Sequence, residues 1–134
     1  MKLMLDTNIC IAIIKQKPKD ILQKFGAYQI GDICISSVTL AELRYGVAKS
    51  QFREKNQAAL DEFILPLEVA DFDEPATVYY GTLRATLEKQ GIPIGALDTM
   101  IGAHALSLSV TLVTNNTKEF SRIIGLKLVD WISC

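Results

Sequence analysis

Short apolar runs alternate with longer segments of helical periodicity along the chain. The short runs predict five strands, at residues 1–5, 33–35, 67–72, 110–114 and 126–131. The longer segments predict helices at residues 9–14, 18–29, 38–49, 57–64, 73–90, 98–108 and 117–124, with a polar turn at 51–56. Strands that alternate with helices form parallel sheets through right-handed crossovers. We therefore expect an α/β fold, with helices on both faces of a parallel sheet, as one domain over residues 1–134.

The composition indicates a well-covered core and a partner. The 134 residues are 49% hydrophobic, with a mean hydropathy of +0.23. A chain of this length can bury ~65–70% of its unfolded surface without a disulfide or a structural metal. The high hydrophobic content indicates either a sheet covered on both faces or a surface reserved for a partner. We therefore expect an oligomer or a complex.

The charge gives no global attraction for nucleic acid. The net charge is −1 and the sequence pI is about 5.8, whereas many nucleic-acid-binding domains are strongly basic. A polyanion must then be held by a local patch or through a bound cation. The most basic segment contains Lys15, Lys17, Lys19 and Lys24. Such a run is typical of a solvated face, with a phosphate-binding role as the alternative.

The three cysteines match neither a zinc site nor a disulfide framework. Cys10, Cys34 and Cys134 are far apart and odd in number, and the first two lie in apolar runs, which is typical of reduced packing residues. Asp6 interrupts the start of the chain before a signal peptide can form, and the longest apolar run, residues 9–14, is too short to span a bilayer. We expect a soluble cytoplasmic protein that makes no use of a membrane.

Oxygen-bearing side chains recur near the ends of the predicted strands. Asp6 follows the first strand, Glu42 lies in the helix after the second, and Asp98 begins the helix before the fourth. Asn116 follows the fourth strand, with Glu119 close by. In a parallel sheet the carboxyl ends of the strands meet at one edge, where open α/β folds bind ligands. These positions predict an acidic cluster at that edge.

The same residues have a structural interpretation as helix caps. Short polar side chains accept hydrogen bonds from the free N–H groups of a first helical turn. Capping motifs are matched at Asp6, at Asp98, at Thr39-x-x-Glu42 and at Asn116-x-x-Glu119. The local sequence leaves capping and a functional role open at each of these positions.

An acidic cluster of this kind favours cation chemistry. Several carboxylates at one sheet edge repel one another unless a cation lies between them. Ligand sets made only of oxygen suit Mg²⁺ or Mn²⁺ rather than zinc. Such a cation binds a phosphodiester, lowers the pKa of a bound water and stabilises the leaving oxygen. The cluster therefore favours metal-dependent phosphodiester hydrolysis.

Two other functional classes share this arrangement. A receiver-like or phosphatase-like domain would also place Asp6 at a strand end, but a phosphotransfer phosphatase requires a second Asp where this chain has Asn8. A non-catalytic α/β module would instead bind a peptide or nucleic acid through an apolar groove. Mn²⁺ binding that depends on Asp98 favours the enzyme, and partner binding that survives chelation favours the module.

Two further groups of residues are assigned mainly to packing. His104 is the single histidine and lies on a different side of its helix from Asp98. We interpret it as a packed or supporting residue, with a general base as the alternative. Packing or dimer contacts are expected on the helical face that carries Tyr79, Tyr80, Leu83 and Leu87, and Arg84 lies on the same face.

A family resemblance is carried by four segments. They read Leu5-Asp6-Thr7-Asn8, SVTLAEL at 37–43, IGALDTMIGAHA at 94–105 and VTNNTKEF at 113–120. Together they resemble the PIN-domain ribonucleases, and among these the VapC toxins of bacterial toxin-antitoxin pairs. Any one segment is weak, but four in order along essentially the whole chain are specific. The resemblance implies an endoribonuclease that uses Mg²⁺ or Mn²⁺, with a five-stranded parallel sheet ordered 3-2-1-4-5.

The resemblance also implies roles for individual residues. Asp6 and Asp98 would bind the metal directly, and Glu42 directly or through water, where it would help to position the attacking water. Many PIN domains have Asp where this chain has Asn116. Either its amide oxygen or Glu119 would then fill the fourth position, which leaves the number of metal ions open. Supporting contacts are expected from Thr7, Thr114, Asn115, Glu119 and Arg84.

The resemblance further implies a substrate and partners. Similar VapC toxins cleave the anticodon stem-loop of initiator tRNA, which is therefore the expected substrate. Such a cut would stop translation and growth in a cell that lacks the antitoxin. A small DNA-binding antitoxin, similar to VapB, is expected to cover the active-site groove with its tail. We expect a homodimer that forms a heterocomplex with this antitoxin.

Overall fold

A five-stranded parallel sheet lies at the centre of the computed structural model, which describes residues 1–132. The strands are β1 (Leu3–Leu5), β2 (Ile33–Ser36), β3 (Glu68–Ala70), β4 (Thr111–Val113) and β5 (Leu128–Val129). Their order is β3-β2-β1-β4-β5, and each neighbouring pair is parallel. The predicted sheet and its strand order are confirmed.

Helices cover both faces of the sheet, as predicted. They are α1 (Thr7–Lys15), α2 (Ile21–Gly26), α3 (Ser37–Ala48), α4 (Arg53–Ile64), α5 (Glu74–Lys89), α6 (Ala96–Leu108) and α7 (Thr117–Phe120). Helix α5 packs along α6, and α3 packs against α1, α4 and α6. None of the helices within residues 1–132 combines the length and apolar character needed to cross a bilayer.

Three helix boundaries differ from the prediction. Helix α2 is shorter than residues 18–29, because its core contacts come from Ile21 and the partly buried Phe25, whereas residues 26–30 are exposed. Helix α4 is longer than predicted and begins inside the expected turn, since Arg, Glu and Lys are good helix formers and Glu54 complements the helix dipole. Helix α7 ends at Phe120, and the chain turns again at Gly125, whose φ is +88°.

The central strands are buried on both faces, which explains their unbroken apolar sequences. Leu5 of β1 packs against α1 and α4, where Ile9 and Leu60 are fully buried. Met4 points to the opposite face and packs in the core that contains Ile101 of α6 and other residues of α5 and α7. Successive residues of β1 therefore hold the two helical layers together, which fixes the sheet edge between them.

The predicted packing roles are confirmed in part. Cys10 and Cys34 are buried and unpaired with each other, whereas Cys134 lies outside the described residues. Leu87 is buried in the α5–α6 core, but Tyr79 on the same helix is 46% exposed. Burial raises the pKa of both thiols, that of Cys34 to about 11. Both thiols are therefore protonated, unreactive packing groups at neutral pH.

Gly102 allows α6 to approach the segment that follows α7. A Cβ at this position would lie 2.5 Å from Cδ1 of Ile123, which is itself buried. We expect Gly102→Ala to lower the free energy of unfolding by ~1–3 kcal/mol through overpacking, as measured by urea denaturation. The matched control is Gly81→Ala in α5, where a Cβ meets no atom within 4 Å. That variant should be neutral or more stable, and equal effects would contradict the packing argument.

Candidate active site

Asp6 lies at the carboxyl end of β1 and is 96% buried, its side chain being only 4% exposed. Its Oδ1 accepts a hydrogen bond of 2.9 Å from the backbone N–H of Ile9, which makes Asp6 the N-cap of α1. Its Oδ2 accepts a second bond, of 2.5 Å, from the hydroxyl of Thr114. The capping interpretation is therefore confirmed. It uses one carboxylate oxygen and directs the other toward the end of β4.

Thr114 links the ends of the two neighbouring strands β1 and β4. The residue directly follows β4 and is fully buried. Its hydroxyl donates to Asp6 and accepts a 2.9 Å bond from the backbone N–H of Asn116. The Thr114 hydroxyl, predicted to support the site, thus makes two hydrogen bonds, one as donor and one as acceptor. They fix the Asp6 carboxylate and the start of the following loop.

Glu42 is held by Thr7 from the first turn of α1. The Thr7 hydroxyl donates a 2.6 Å hydrogen bond to Glu42 Oε1, although the residues are 35 positions apart. The capping box predicted at Thr39 is wrong, because α3 begins at Ser37 and Ser36 accepts the bond from the Val38 N–H. Position 42 therefore lies in the middle of α3, where its side chain reaches back to the strand end that carries Asp6.

Asp98 projects from the first turn of α6 and is partly buried. Gly95 is the N-cap of that helix and makes no side-chain capping bond, so the capping interpretation of Asp98 is wrong. Burial raises the pKa of Asp98 to about 6, with further increases from the charges of Glu42, Asp6 and Glu119. The structure therefore brings these predicted residues into one electrostatic cluster.

The pKa of the Asp6 carboxyl is raised as well. Burial raises its pKa, against lowering by the hydrogen bonds from Thr114 and Ile9, and the charges of Glu42 and Asp130 raise it further. Asp130 was missed in the sequence analysis. It directly follows β5 at the same sheet edge and accepts a 2.8 Å bond from the Ile132 N–H. The predicted strand at residues 126–131 included Asp130, so no sequence signal placed this carboxylate at the strand end.

Asn116 and Glu119 form a side-chain pair beside the cluster. The Asn116 amide donates a 3.2 Å hydrogen bond to Glu119 Oε2. Asn116 stands at the N-cap of α7 but makes no side-chain capping bond, so the predicted capping pair takes a different form. The contact orients the Asn116 amide and holds Glu119 near Asp98, where its charge raises the pKa of that carboxyl.

The remaining predicted residues lie around this cluster or away from it. Asn115 is exposed beside Thr114. Arg84 is exposed on α5 and donates to Tyr80 at 2.7 Å and to Glu88 at 3.3 Å. These bonds stay within one helix and give Arg84 no direct contact with the acids. His104 is fully buried, as expected for a packed residue.

The oxygen donors at this sheet edge suit a magnesium or manganese ion that keeps several water ligands better than an ion bound only by protein ligands. Within residues 1–132, no group of three or more His, Cys, Asp or Glu side chains forms a ready-made metal site. Mg²⁺ does not need one, because it usually binds through one or two carboxylates and keeps several waters. The available donors are carboxylate and amide oxygens, and burial together with repulsion among the carboxylates raises the pKa of Asp6 and Asp98. A divalent cation would relieve that repulsion.

A groove of about 340 Å³ opens beside Glu42 between α1, α3 and α4. Its walls are mostly apolar and include Ile11, Ile14, Val47 and Leu60. Lys15 lines the same groove as Glu42 and brings a positive charge to its wall. The site thus combines an acidic centre with an adjoining apolar channel.

Comparison with known proteins identifies the family. The PIN-domain family pattern matches residues 3–126. A tRNA(fMet)-specific endonuclease VapC from Shigella flexneri is 49% identical over 131 residues, which cover 98% of each chain. The chain belongs to the PIN-domain family, in its VapC group.

Solved structures agree with this assignment. The VapBC2 complex from Rickettsia felis, bound to a DNA fragment of its promoter, matches with a TM-score of 0.92 and 46% identity, over 98% of this chain and 99% of that one. DNA-bound VapBC from Salmonella typhimurium matches with a TM-score of 0.93 and 46% identity, over 98% of both chains. The expected fold class and family are therefore confirmed.

The phosphatase-like alternative is disfavoured by the geometry of Asp6. A nucleophilic carboxylate needs an exposed oxygen that can reach a phosphorus atom. Both oxygens of Asp6 accept hydrogen bonds, from Ile9 and Thr114, and the residue is buried. The Asp6 carboxylate is therefore fixed in position and does not suit the role of a nucleophile.

Proposed function

We propose that this PIN domain is a metal-dependent endoribonuclease of a toxin-antitoxin pair, with Mg²⁺ or Mn²⁺ held by Asp6, Asp98 and Glu42. The observation that carries the proposal is the convergence of these acids at one sheet edge, where the pKa of Asp98 rises to about 6. Without a cation at this edge, Asp98 would stay protonated up to about pH 6, whereas an isolated aspartate ionises near pH 4. The similarity to VapC endonucleases supports RNA cleavage as the reaction.

The reaction follows from the way the acids are held. When bound, a divalent cation supplies positive charge for the phosphodiester and lowers the pKa of a nearby water. Thr114 and the Ile9 N–H fix both oxygens of Asp6, which sets the position of its charge. Thr7 fixes Oε1 of Glu42, and the other carboxylate oxygen can accept a hydrogen bond from the attacking water. Asn116 holds Glu119 close enough to adjust the charge around Asp98.

We further propose initiator tRNA, cut in its anticodon stem-loop, as the substrate. The proposal is supported by the tRNA(fMet)-specific relatives, which match this chain over nearly its whole length. The net charge of −1 gives little attraction for RNA at a distance. Recognition must therefore depend on contacts around the groove, among which Lys15 is suitably placed to meet a phosphate.

The test is to incubate purified protein with total small RNA in Mn²⁺, in Mg²⁺ or in chelator, and to map new 5′ ends by sequencing. A discrete, metal-dependent cut in the initiator tRNA anticodon stem-loop would support both parts of the proposal. A metal-dependent cut in another RNA would support the nuclease activity and contradict initiator tRNA as the substrate. Intact RNA under every condition would favour a non-catalytic binding module.

An antitoxin partner is proposed for the apolar groove beside the site. The solved relatives are VapBC complexes, and in this chain the groove leads from Leu60 and Val47 directly to Glu42. A tail that fills it would cover the acids and block RNA. Expression of the chain alone is expected to arrest growth, and co-expression of its small DNA-binding antitoxin is expected to restore growth.

A homodimer is proposed through the exposed face of α5. Val78 and Tyr79 are 65% and 46% exposed, and together with Ile124, which is 84% exposed, they line a groove of about 370 Å³. Exposed apolar area of this kind is typical of a protein contact surface. Light scattering of the purified chain, compared with a Val78→Asp variant, measures the oligomeric state directly.

The Thr114 hydroxyl should matter more than its size suggests. Thr114→Val keeps the shape but removes the donor to Asp6 Oδ2 and the acceptor for the Asn116 N–H. We expect cleavage to fall by about 10- to 100-fold, as is typical when the partner of a metal-binding group is lost. Thr114→Ser retains the hydroxyl and should keep most of the activity. Equal rates for the valine and serine variants would show that the hydroxyl is dispensable.

A further inference from the structure

One buried hydrogen bond joins the two helices that carry Glu42 and Asp98. His104 of α6 and Ser36, the N-cap of α3, are both fully buried. The ring Nδ1 of His104 lies 2.8 Å from Ser36 Oγ, and the residues are 68 positions apart. The surrounding contacts of α6 are apolar and include Ile101 and Ala105. The bond is therefore a specific polar contact within an otherwise apolar interface.

Either neutral tautomer of His104 can make this bond. Ser36 Oγ accepts a 3.1 Å bond from the Val38 N–H and can still donate to Nδ1 or accept from it. Burial lowers the pKa of His104, against smaller increases from Asp73 and from the backbone and charge of Asp71. Burial therefore favours the neutral ring at pH 7, and Nδ1 is the ring atom that contacts Ser36.

The imidazole is also held from a third segment. The Phe72 ring meets it edge-on, with the centroids 5.4 Å apart and an interplanar angle of 82°. The backbone N–H of Phe72 in turn donates a 3.0 Å bond to Ser37 Oγ at the start of α3. The His104 ring is thus clamped between the start of α3 and the segment after β3, which gives it little freedom to turn.

The bond is placed to control the geometry of the acids. Asp98 precedes His104 by six residues in α6, and Glu42 follows Ser36 by six residues in α3. Six residues span about 9 Å of helix, so each acid is rigidly connected to one end of the bond. A slide of one helix past the other would leave buried polar atoms unpaired, whereas an apolar interface tolerates small shifts.

We infer that the hydrogen bond between His104 and Ser36 sets the spacing of Asp98 and Glu42, so that His104 is a positioning residue for the divalent-cation site. The inference rests on the proposed function, because it assumes that these acids bind the cation. His104 touches neither the cation nor RNA in this role. It acts through the two helices.

The experiment compares His104→Asn with His104→Leu. The two replacements have similar size, but only the Asn amide can exchange a hydrogen bond with Ser36 Oγ near the position of the ring Nδ1. The readout is the affinity of the purified full chain for Mn²⁺ alone, without RNA, by titration calorimetry. We expect His104→Leu to weaken Mn²⁺ binding by about tenfold or more, and His104→Asn to remain within about threefold of wild type.

Two controls separate positioning from general destabilisation. Ile21→Val removes a buried methyl group on α2 and should lower the melting temperature without changing Mn²⁺ affinity. Ser36→Ala removes the other partner of the bond together with the N-cap bond to the Val38 N–H, and should weaken Mn²⁺ binding at least as much as His104→Leu. The double variant should then bind Mn²⁺ no more weakly than Ser36→Ala alone, because the bond to His104 is already lost in that variant.

The outcomes distinguish this inference from the proposed function. Equal Mn²⁺ affinity in wild type and His104→Leu would overturn the positioning role while leaving a nuclease possible. Equal weakening by Leu and Asn, in proportion to lost stability, would overturn it as well. Wild type that binds Mn²⁺ but leaves RNA intact would contradict the proposed function. The ratio of the Mn²⁺ affinities of His104→Leu and His104→Asn would still decide the role of His104. Wild type that binds no Mn²⁺ would overturn both.

Discussion

Asp98→Asn is expected to reduce metal-dependent RNA cleavage by at least about 100-fold while the protein remains folded, because the change removes one charge from the proposed cation site. The amide has nearly the shape of the carboxylate, so packing in the first turn of α6 is preserved. Asp98 also makes no capping bond whose loss would unfold that helix. The measurement is the single-turnover rate of cleavage at saturating Mn²⁺, together with the Mn²⁺ affinity.

The matched control is Asp20→Asn. Asp20 is an exposed aspartate next to α2 that makes no side-chain capping bond. It carries the same change in charge, and its cleavage rate should stay close to that of wild type. Cleavage by Asp98→Asn at the wild-type rate would exclude Asp98 as a metal ligand, even if the nuclease assignment itself were correct.

The sheet could be predicted closely because burial on both faces leaves an unbroken apolar signal. Residues 33–35 and 110–114 have no other reasonable interpretation, and the order of the strands followed from the family resemblance. Helix ends were less predictable, since they depend on tertiary anchors. Helix α2 is short because its contacts with the core end at Phe25, and no local pattern shows that.

The site was predicted as a set of positions, but its internal contacts were not. Asp6 both caps α1 and accepts a hydrogen bond from Thr114, so the capping interpretation is correct, and the functional role of the same carboxylate stays a prediction. The bond from Thr7 to Glu42 spans 35 positions and depends on how α1 packs against α3. Asp130 was missed because the last strand is only two residues long and its end could not be located from the sequence.

The same charge that Asp98 contributes to the site should destabilise the metal-free protein. The folded-state pKa of Asp98 is raised from 3.8 to about 6. The unfolded chain therefore releases this proton at a lower pH than the folded one, and stability is lost as the pH rises from about 4 to about 6. A shift of this size corresponds to ~3 kcal/mol, which partial exposure of the carboxylate reduces to ~1–2 kcal/mol.

Asp98→Asn should accordingly be more stable than wild type in chelator at pH 7.5, by ~1–2 kcal/mol or a melting temperature about 3–6 °C higher. The difference should disappear near pH 4, where wild-type Asp98 is protonated. Thermal unfolding of both proteins across this pH range tests the sign, and Asp20→Asn should show no such pH-dependent gain. A variant that is less stable than wild type at pH 7.5 would contradict the raised pKa.

Addition of Mn²⁺ should reverse the order of stabilities. A ligand that binds only the folded state at 100 times its dissociation constant stabilises it by ~2.7 kcal/mol, which exceeds the penalty from Asp98. Wild type should gain this amount at pH 7.5, and Asp98→Asn should gain little. A reversed order of stabilities would mean that Asp98, which together with Asp6 and Glu42 destabilises the metal-free protein, stabilises the protein once the cation is bound. Parallel gains in both proteins would place the metal elsewhere.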